Sequence, residues 1–160
     1  MMDPSLRSFN EKLKIAYRSI LKIEETMLRR LSNGALSVSE MHMLESIGKN
    51  REEGVTITDI AQDLDITPPS VTIMAKRLEK KGYITKDRSN VDARRVHIKL
   101  TKEGVREEIA HRYFHRRMVK AITRDLSPEE LSAIISGLDK MIGFMRMSIE
   151  EFELEREDEE

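Results

Sequence analysis

Two helix-start signals lie close together in this chain, and an alternating strand pattern follows them. Thr56-Ile57-Thr58-Asp59 opens a short helix that buries Ile57, Ile60, Ala61 and Leu64. Leu64-Asp65-Ile66 leaves room for only a turn. Thr67 is then a good N-cap, and Pro68 fits the first helical position because its missing N–H would be unpaired there anyway. In the second helix Val71, Ala75 and Leu78 form an inward stripe, while Thr67, Pro69, Ser70, Thr72, Ile73 and Lys76 are left facing outward. Gly82 ends it, and a strand begins over Tyr83 to Lys86. Val96, Ile98 and Leu100 alternate with Arg95, His97 and Lys99, the period-two pattern of a strand with one buried face. DRSNVDAR joins the two strands as a charged tip carrying Asp92, Arg94 and Arg95.

Helix, turn, helix and hairpin in that order are the layout of a winged helix-turn-helix, in which one helix enters the DNA major groove and a basic loop reaches beside it. The net charge of −1 looks wrong for that role until its distribution is read. Residues 150–160 hold eight acidic residues against one arginine, so the other 149 residues carry +6. Residues 67–106 hold eleven Lys/Arg and four Asp/Glu, a surplus of +7. Attraction to phosphate needs a local patch rather than a basic total.

The flanks read as long amphipathic helices. Residues 5–31 carry Leu6, Phe9, Leu13, Ala16, Ile20, Met27 and Leu31 on one stripe, with Pro4 just before it and Gly34 just after. Ser37-Val38-Ser39-Glu40 is a capping box for a helix that buries Met41, Leu44 and Ile47 and stops near Gly48. Thr101 starts a helix running to about Arg124, with Val105, Ile109, Tyr113, Phe114, Met118, Ala121 and Ile122 as its apolar positions. Ser127-Pro128-Glu129-Glu130 opens the last helix, which carries Leu131, Ile134, Ile135, Leu138, Met141, Ile142 and Met145 and frays into an acidic, mobile tail over 151–160. The expected fold is mainly α with a β-hairpin wing: an N-terminal dimerisation helix over 1–34, a winged helix-turn-helix over 35–104, and C-terminal dimerisation helices over 105–150. With 39% hydrophobic and 36% charged residues, such a chain completes its core with a partner.

In that order of elements, with GYITKDRSNVDARRVHIKLTKEG at its centre, nearly the whole chain resembles the MarR family of bacterial transcription regulators. Asp-x-Arg in the wing, Asp92 and Arg94, followed by a strand and LTKEG, is the specific signal. The resemblance implies a homodimer whose terminal helices interlock and whose two winged heads bind a pseudo-palindromic site on double-stranded DNA. It places residues 67–77 in the major groove and Arg94 in the minor groove, braced by Asp92. The residues expected at DNA are Thr67, Pro68, Pro69, Ser70, Thr72, Ile73, Lys76, Arg77, Arg88, Asp92, Arg94 and Arg95. Their chemistry agrees: hydroxyls at a helix N-terminus suit phosphates, Lys76 and Arg88 can neutralise them, and arginine reads minor-groove width. Lys80 and Lys81 read as solubilising charges.

Ile23-Glu24-Glu25, Ser39-Glu40-Met41-His42, Ile47-Gly48-Lys49, Arg95-Val96-His97 and Tyr113-Phe114-His115 are further similar to the FabT-type subgroup, repressors of fatty-acid synthesis genes. That resemblance implies acyl-(acyl carrier protein) or a fatty-acyl ligand as effector, in a pocket using Phe114, Met118, His42, His111 and His115. Arg112, Arg116 and Arg117 would suit an acidic carrier protein. The same histidines support a different reading. His111 and His115 stand four apart on one helix face, a spacing that can hold zinc, and with His42 and Glu24 they resemble the ligand set of zinc-sensing MarR relatives. Zinc is the one cofactor these side chains suit; a plain hydrogen-bonded junction is the simpler reading of the cluster. His97 alternates outward on the wing strand and reads as a surface or phosphate-facing residue.

Other classes fit poorly. The chain has no nucleophile elbow or phosphate-cradling glycine loop, and its seven glycines fall mostly at helix ends, so an enzyme is not expected. An adaptor without DNA binding has no use for a polar outer helix face beside a +7 stretch. The absence of cysteine excludes disulfides and thiolate metal sites, and with no signal peptide or membrane-spanning run the expected location is cytoplasmic.

Overall fold

A computed structural model of the chain describes residues 3–88 and 96–157. It shows six helices and a hairpin in the order α1 (Pro4–Leu31), α2 (Val38–Gly48), α3 (Ile57–Leu64), α4 (Pro68–Lys80), β1 (Ile84–Arg88), β2 (Val96–Leu100), α5 (Lys102–Thr123) and α6 (Pro128–Glu157). The expected mainly α fold with a two-stranded wing is the observed one. The wing-tip residues Asp92, Arg94 and Arg95 lie outside the described residues.

Local chemistry sets the boundaries. Ser37 and Glu40 form the reciprocal capping box on α2, and Thr56 and Asp59 do the same for α3. Ser127 accepts from the Glu130 amide at 3.2 Å while the Glu130 carboxylate accepts from the Ser127 amide at 2.8 Å, which starts α6. Asp65 closes α3 in the left-handed region at φ 54°, a conformation Asp tolerates better than most residues. Gly82, at φ +80°, ends α4: its amide bonds to Glu79 O and the Tyr83 amide to Leu78 O, both at 3.0 Å, the paired bonds of a Schellman turn. Two helix boundaries differ from expectation. Pro4 is the first residue of α1 rather than the one before it, since a proline costs no hydrogen bond in the first turn. α6 runs on through the acidic stretch to Glu157, because glutamate is a good helix former and that stretch holds no Gly or Pro.

The chain divides into two compact units, Met1–Phe114 and His115–Glu160. The core of the first lies where α2, α3, α4 and β2 meet, with Met41, Met43, Leu44, Ile47, Ile60, Val71, Leu78 and Ile98 fully buried. α1 joins that core only through Met27 and Leu28; Leu6, Phe9 and Ile20 farther along it are exposed. The second unit holds the end of α5 and all of α6, where Ile134, Leu138, Ile142 and Phe144 are exposed. Among the described residues no helix is long and apolar enough to cross a membrane.

Within one chain α5 leaves most of its periodic apolar residues outside the core: Ile109, Tyr113 and Ile122 are exposed and Phe114 and Val105 only half-buried. The buried positions are Gly104, Glu107, Glu108 and His111. A polar face is turned to the core of the first unit because basic partners and a glycine-width approach are waiting there, as the next section details.

Candidate nucleic-acid interface

The α3–turn–α4 segment sets α4 with two unlike faces. Val71, Ala75 and Leu78 are fully buried, whereas Pro68, Pro69, Ser70, Thr72, Ile73, Lys76 and Arg77 are exposed. Among the described residues Lys76 and Arg77 pair with no carboxylate. Thr67 occupies the N-cap position, but its side chain does not cap the backbone; its Oγ1 lies 2.9 Å from Ser70 Oγ instead. Thr72 Oγ1 donates to Pro68 O at 3.0 Å. An open cleft of about 310 Å³ separates this face from the start of α2, lined by Ser37, Ser39, Glu40, Ser70, Ile73, Met74 and Arg77.

Glu40 fixes the far wall of that cleft. Lys81 Nζ donates to both its carboxylate oxygens at 2.7 Å, and the Ser37 amide donates to Oε2 at 2.9 Å. Burial pushes this carboxyl up, but the Lys81 and Ser37 hydrogen bonds and the Lys81 charge outweigh it and hold Glu40 below its ordinary range. Lys81 thus clamps the end of α4 to the start of α2. On the neighbouring side Lys49 bonds Asp63 at 2.5 and 2.8 Å and keeps that carboxyl low.

The wing pairs Ile84 with Leu100 through to Arg88 with Val96, antiparallel. Val55 adds a bridge on the other edge of β2, exchanging bonds with Ile98 at 2.7 and 3.1 Å. Gly54 makes this possible: at φ +79°, a Cβ there would lie 2.9 Å from Ile98 O and 2.8 Å from Lys99 Cγ. This third segment covers the side of β2 that sequence alternation left to solvent. Only Ile98 is fully buried, and its neighbours on both faces are half-buried. His97 is therefore not a free surface residue; its Nδ1 is buried without a hydrogen-bond partner among the described residues.

Two contacts tie this head to α5. Thr101 donates its hydroxyl to Gly82 O at 2.7 Å and its amide to Tyr83 O at 3.0 Å. A Cβ at Gly104 would stand 2.1 Å from Tyr83 O, so α5 starts against the turn that ends α4. Burial and the Glu107 charge raise the Tyr83 hydroxyl above its ordinary value. Farther along, Glu108 pairs with Arg51 and, at 3.5 Å, with Arg112. His111 is fully buried with Nδ1 2.6 Å from Glu45 Oε1.

Of the histidine cluster expected from sequence, the first unit brings together part. His42 and His111 rings lie 6.2 Å apart, edge to face, and His42 Nε2 is 3.9 Å from Glu24 Oε1. His115, four residues farther along α5, and Met118 belong to the second unit. Glu45 was missed by sequence reasoning. Its only local signal is its place three residues after His42 on α2, and its partner lies 66 positions away.

A helix-turn-helix braced by a β-hairpin, with one helix face held in the core and the other bare, makes this a winged helix-turn-helix protein. Residues 36–96 match the MarR family. Over 88% of its length the chain is 35% identical to Streptococcus pneumoniae FabT, crystallised in complex with DNA, covering 97% of that chain at a TM-score of 0.80. The chain belongs to the MarR family. Among curated relatives, the HTH-type transcriptional repressor MdtR of Bacillus subtilis (strain 168) is 30% identical over 83 residues, 52% of either protein. The chain spans about half the length of the first curated relatives it matches. The Staphylococcus aureus MepR–DNA complex, 23% identical over 86% of this chain and 96% of its own, has the same fold at a TM-score of 0.71. These proteins regulate transcription, so the enzyme class is set aside.

Proposed function

We propose that this chain is a homodimeric, sequence-specific DNA-binding regulator that acts as a repressor. The observation that carries the reading is the division of α4: a fully buried inner face against an exposed outer face where Lys76 and Arg77 have no carboxylate partner among the described residues. A helix held that firmly presents a rigid edge to a major groove. Thr67, Pro68, Pro69, Ser70, Thr72, Ile73, Lys76 and Arg77 form that edge, and Arg88, Asp92, Arg94 and Arg95 serve the wing. The likeness to the DNA-bound FabT chain supports the same role. The exposed apolar faces of α1 and α6 support a second copy of the chain as the missing partner, since a monomer gains nothing by leaving Phe9, Ile20, Leu138 and Phe144 in water. Selection from a pool of random duplexes tests the reading. A pseudo-palindromic site should be enriched and bound by a species that sediments as a dimer; no enrichment discards the proposal.

The effector belongs to the acyl class on this reading, free or carried by acyl carrier protein. Support comes from the FabT-type features of the sequence and from α5, where Phe114 and Met118 stand one turn apart and Arg112, Arg116 and Arg117 supply positive charge. Native mass spectrometry with acyl-loaded carrier protein should detect a complex and a change in operator affinity; unchanged affinity removes this effector.

A second reading, zinc response, is favoured by one observation: two carboxylates meet two imidazoles in the first unit. Glu45 meets His111, and Glu24 approaches His42. Imidazole and carboxylate donors suit zinc, and a carboxylate on the second ring nitrogen is how ligating histidines are oriented. Within the first unit, Glu24, His42 and His111 would then supply zinc ligands. Equilibrium dialysis should find bound zinc lost in His111→Ala; metal-free protein with chelator-insensitive DNA binding ends the reading.

A further inference from the structure

The outward edge of α4 is poor in hydrogen-bond donors at its centre. The Thr72 hydroxyl is committed to Pro68 O, while Thr67 and Ser70, at the N-terminal end, share a single hydrogen bond that uses one of their two protons. Pro69 has no N–H, and Ile73 has nothing to donate. What α4 offers between its N-terminus and Lys76 is therefore carbon: the Pro69 ring, the Thr72 methyl, and an Ile73 side chain that stays 55% exposed. Pro69 and Ile73 stand on one helical row and Thr72 and Lys76 on the adjacent one, so these apolar groups are contiguous.

In the major groove, guanine, adenine and cytosine are told apart by donors and acceptors. Thymine alone adds an apolar group, the C5 methyl. A helix centre whose one hydroxyl proton, that of Thr72, is already used discriminates poorly by donating hydrogen bonds, but it can by apolar contact. We infer that Thr72 and Ile73 read thymine methyl groups, so that each operator half-site carries thymines opposite the centre of α4. Lys76 and Arg77, at the C-terminal side of this patch, are left for phosphates or a guanine. The inference rests on the DNA-binding reading above and adds the base that is recognised.

The test uses the full-length protein and duplexes recovered from a random pool. In each, the half-site thymines are replaced one at a time by deoxyuridine, which removes the methyl and leaves base pairing and the O4 acceptor intact. Affinity should fall about fourfold per contacted methyl, the worth of one buried methyl-sized group. The preference for thymine over uracil should shrink in Ile73→Ala and in Thr72→Ser, which keeps the hydroxyl, and persist in Thr72→Val, which keeps the methyl. Wild-type binding that is indifferent to every deoxyuridine overturns this inference alone. Failure to enrich any duplex overturns the DNA-binding reading and this inference with it.

Discussion

His111 Nδ1 and Glu45 Oε1 lie 2.6 Å apart, joining α5 to α2 across a face where the imidazole has no exposure to solvent. The same face holds Glu108 on Arg51. α5 is thus tied to the DNA-reading head by polar pairs, whose strength depends on both partners being present. A double-mutant cycle with Glu45→Gln and His111→Gln should show a coupling of about 1–2 kcal/mol in urea unfolding. Additive single effects would mean that the pair contributes nothing to the tie.

Glu40 predicts a response to acid. Its carboxyl is held below the ordinary 4.5 in the folded state, so the stabilisation is complete above that pH and is lost as pH falls through the lower folded value. Lys81→Met should be less stable than wild type at neutral pH by about 1 kcal/mol, a modest figure because Lys81 is partly exposed. The gap should close in acid. A gap independent of pH would assign the loss to the lysine stem rather than to the charge.

Lys76 predicts a salt effect. If it neutralises one phosphate, Lys76→Ala should reduce the slope of log affinity against log salt by about one. A slope equal to wild type makes Lys76 a bystander.

For the wing, Arg94→Ala should weaken operator binding by about 1–3 kcal/mol and leave the sedimentation of the dimer unchanged. Wild-type affinity would remove the wing from recognition.

Gly104 predicts the cost of crowding the start of α5. A methyl there would meet Tyr83 O at 2.1 Å, and neither the Schellman turn nor the Thr101 bonds can move freely. Gly104→Ala should destabilise the protein by about 1–3 kcal/mol in chemical unfolding. An unchanged midpoint would show that α5 is not pinned to that turn.

The amino-acid sequence alone determined what is decided within a few residues. The capping boxes at Ser37, Thr56 and Ser127, the stop at Gly82 and the Val71-Ala75-Leu78 stripe all act over one or two turns, and each was found where the residues put it. Tertiary structure alone decided which face of α5 is buried, that His97 is covered, and that Glu45 meets His111. Apolar periodicity on α5 marks a face that wants burial, but within one chain that face stays exposed while Glu107, Glu108 and His111 turn inward. Val55 covers β2 from another part of the chain, which strand alternation cannot register. These outcomes depend on partners 40 to 70 positions away, such as Arg51 for Glu108 and Glu45 for His111, and a local pattern of polarity carries no information about them.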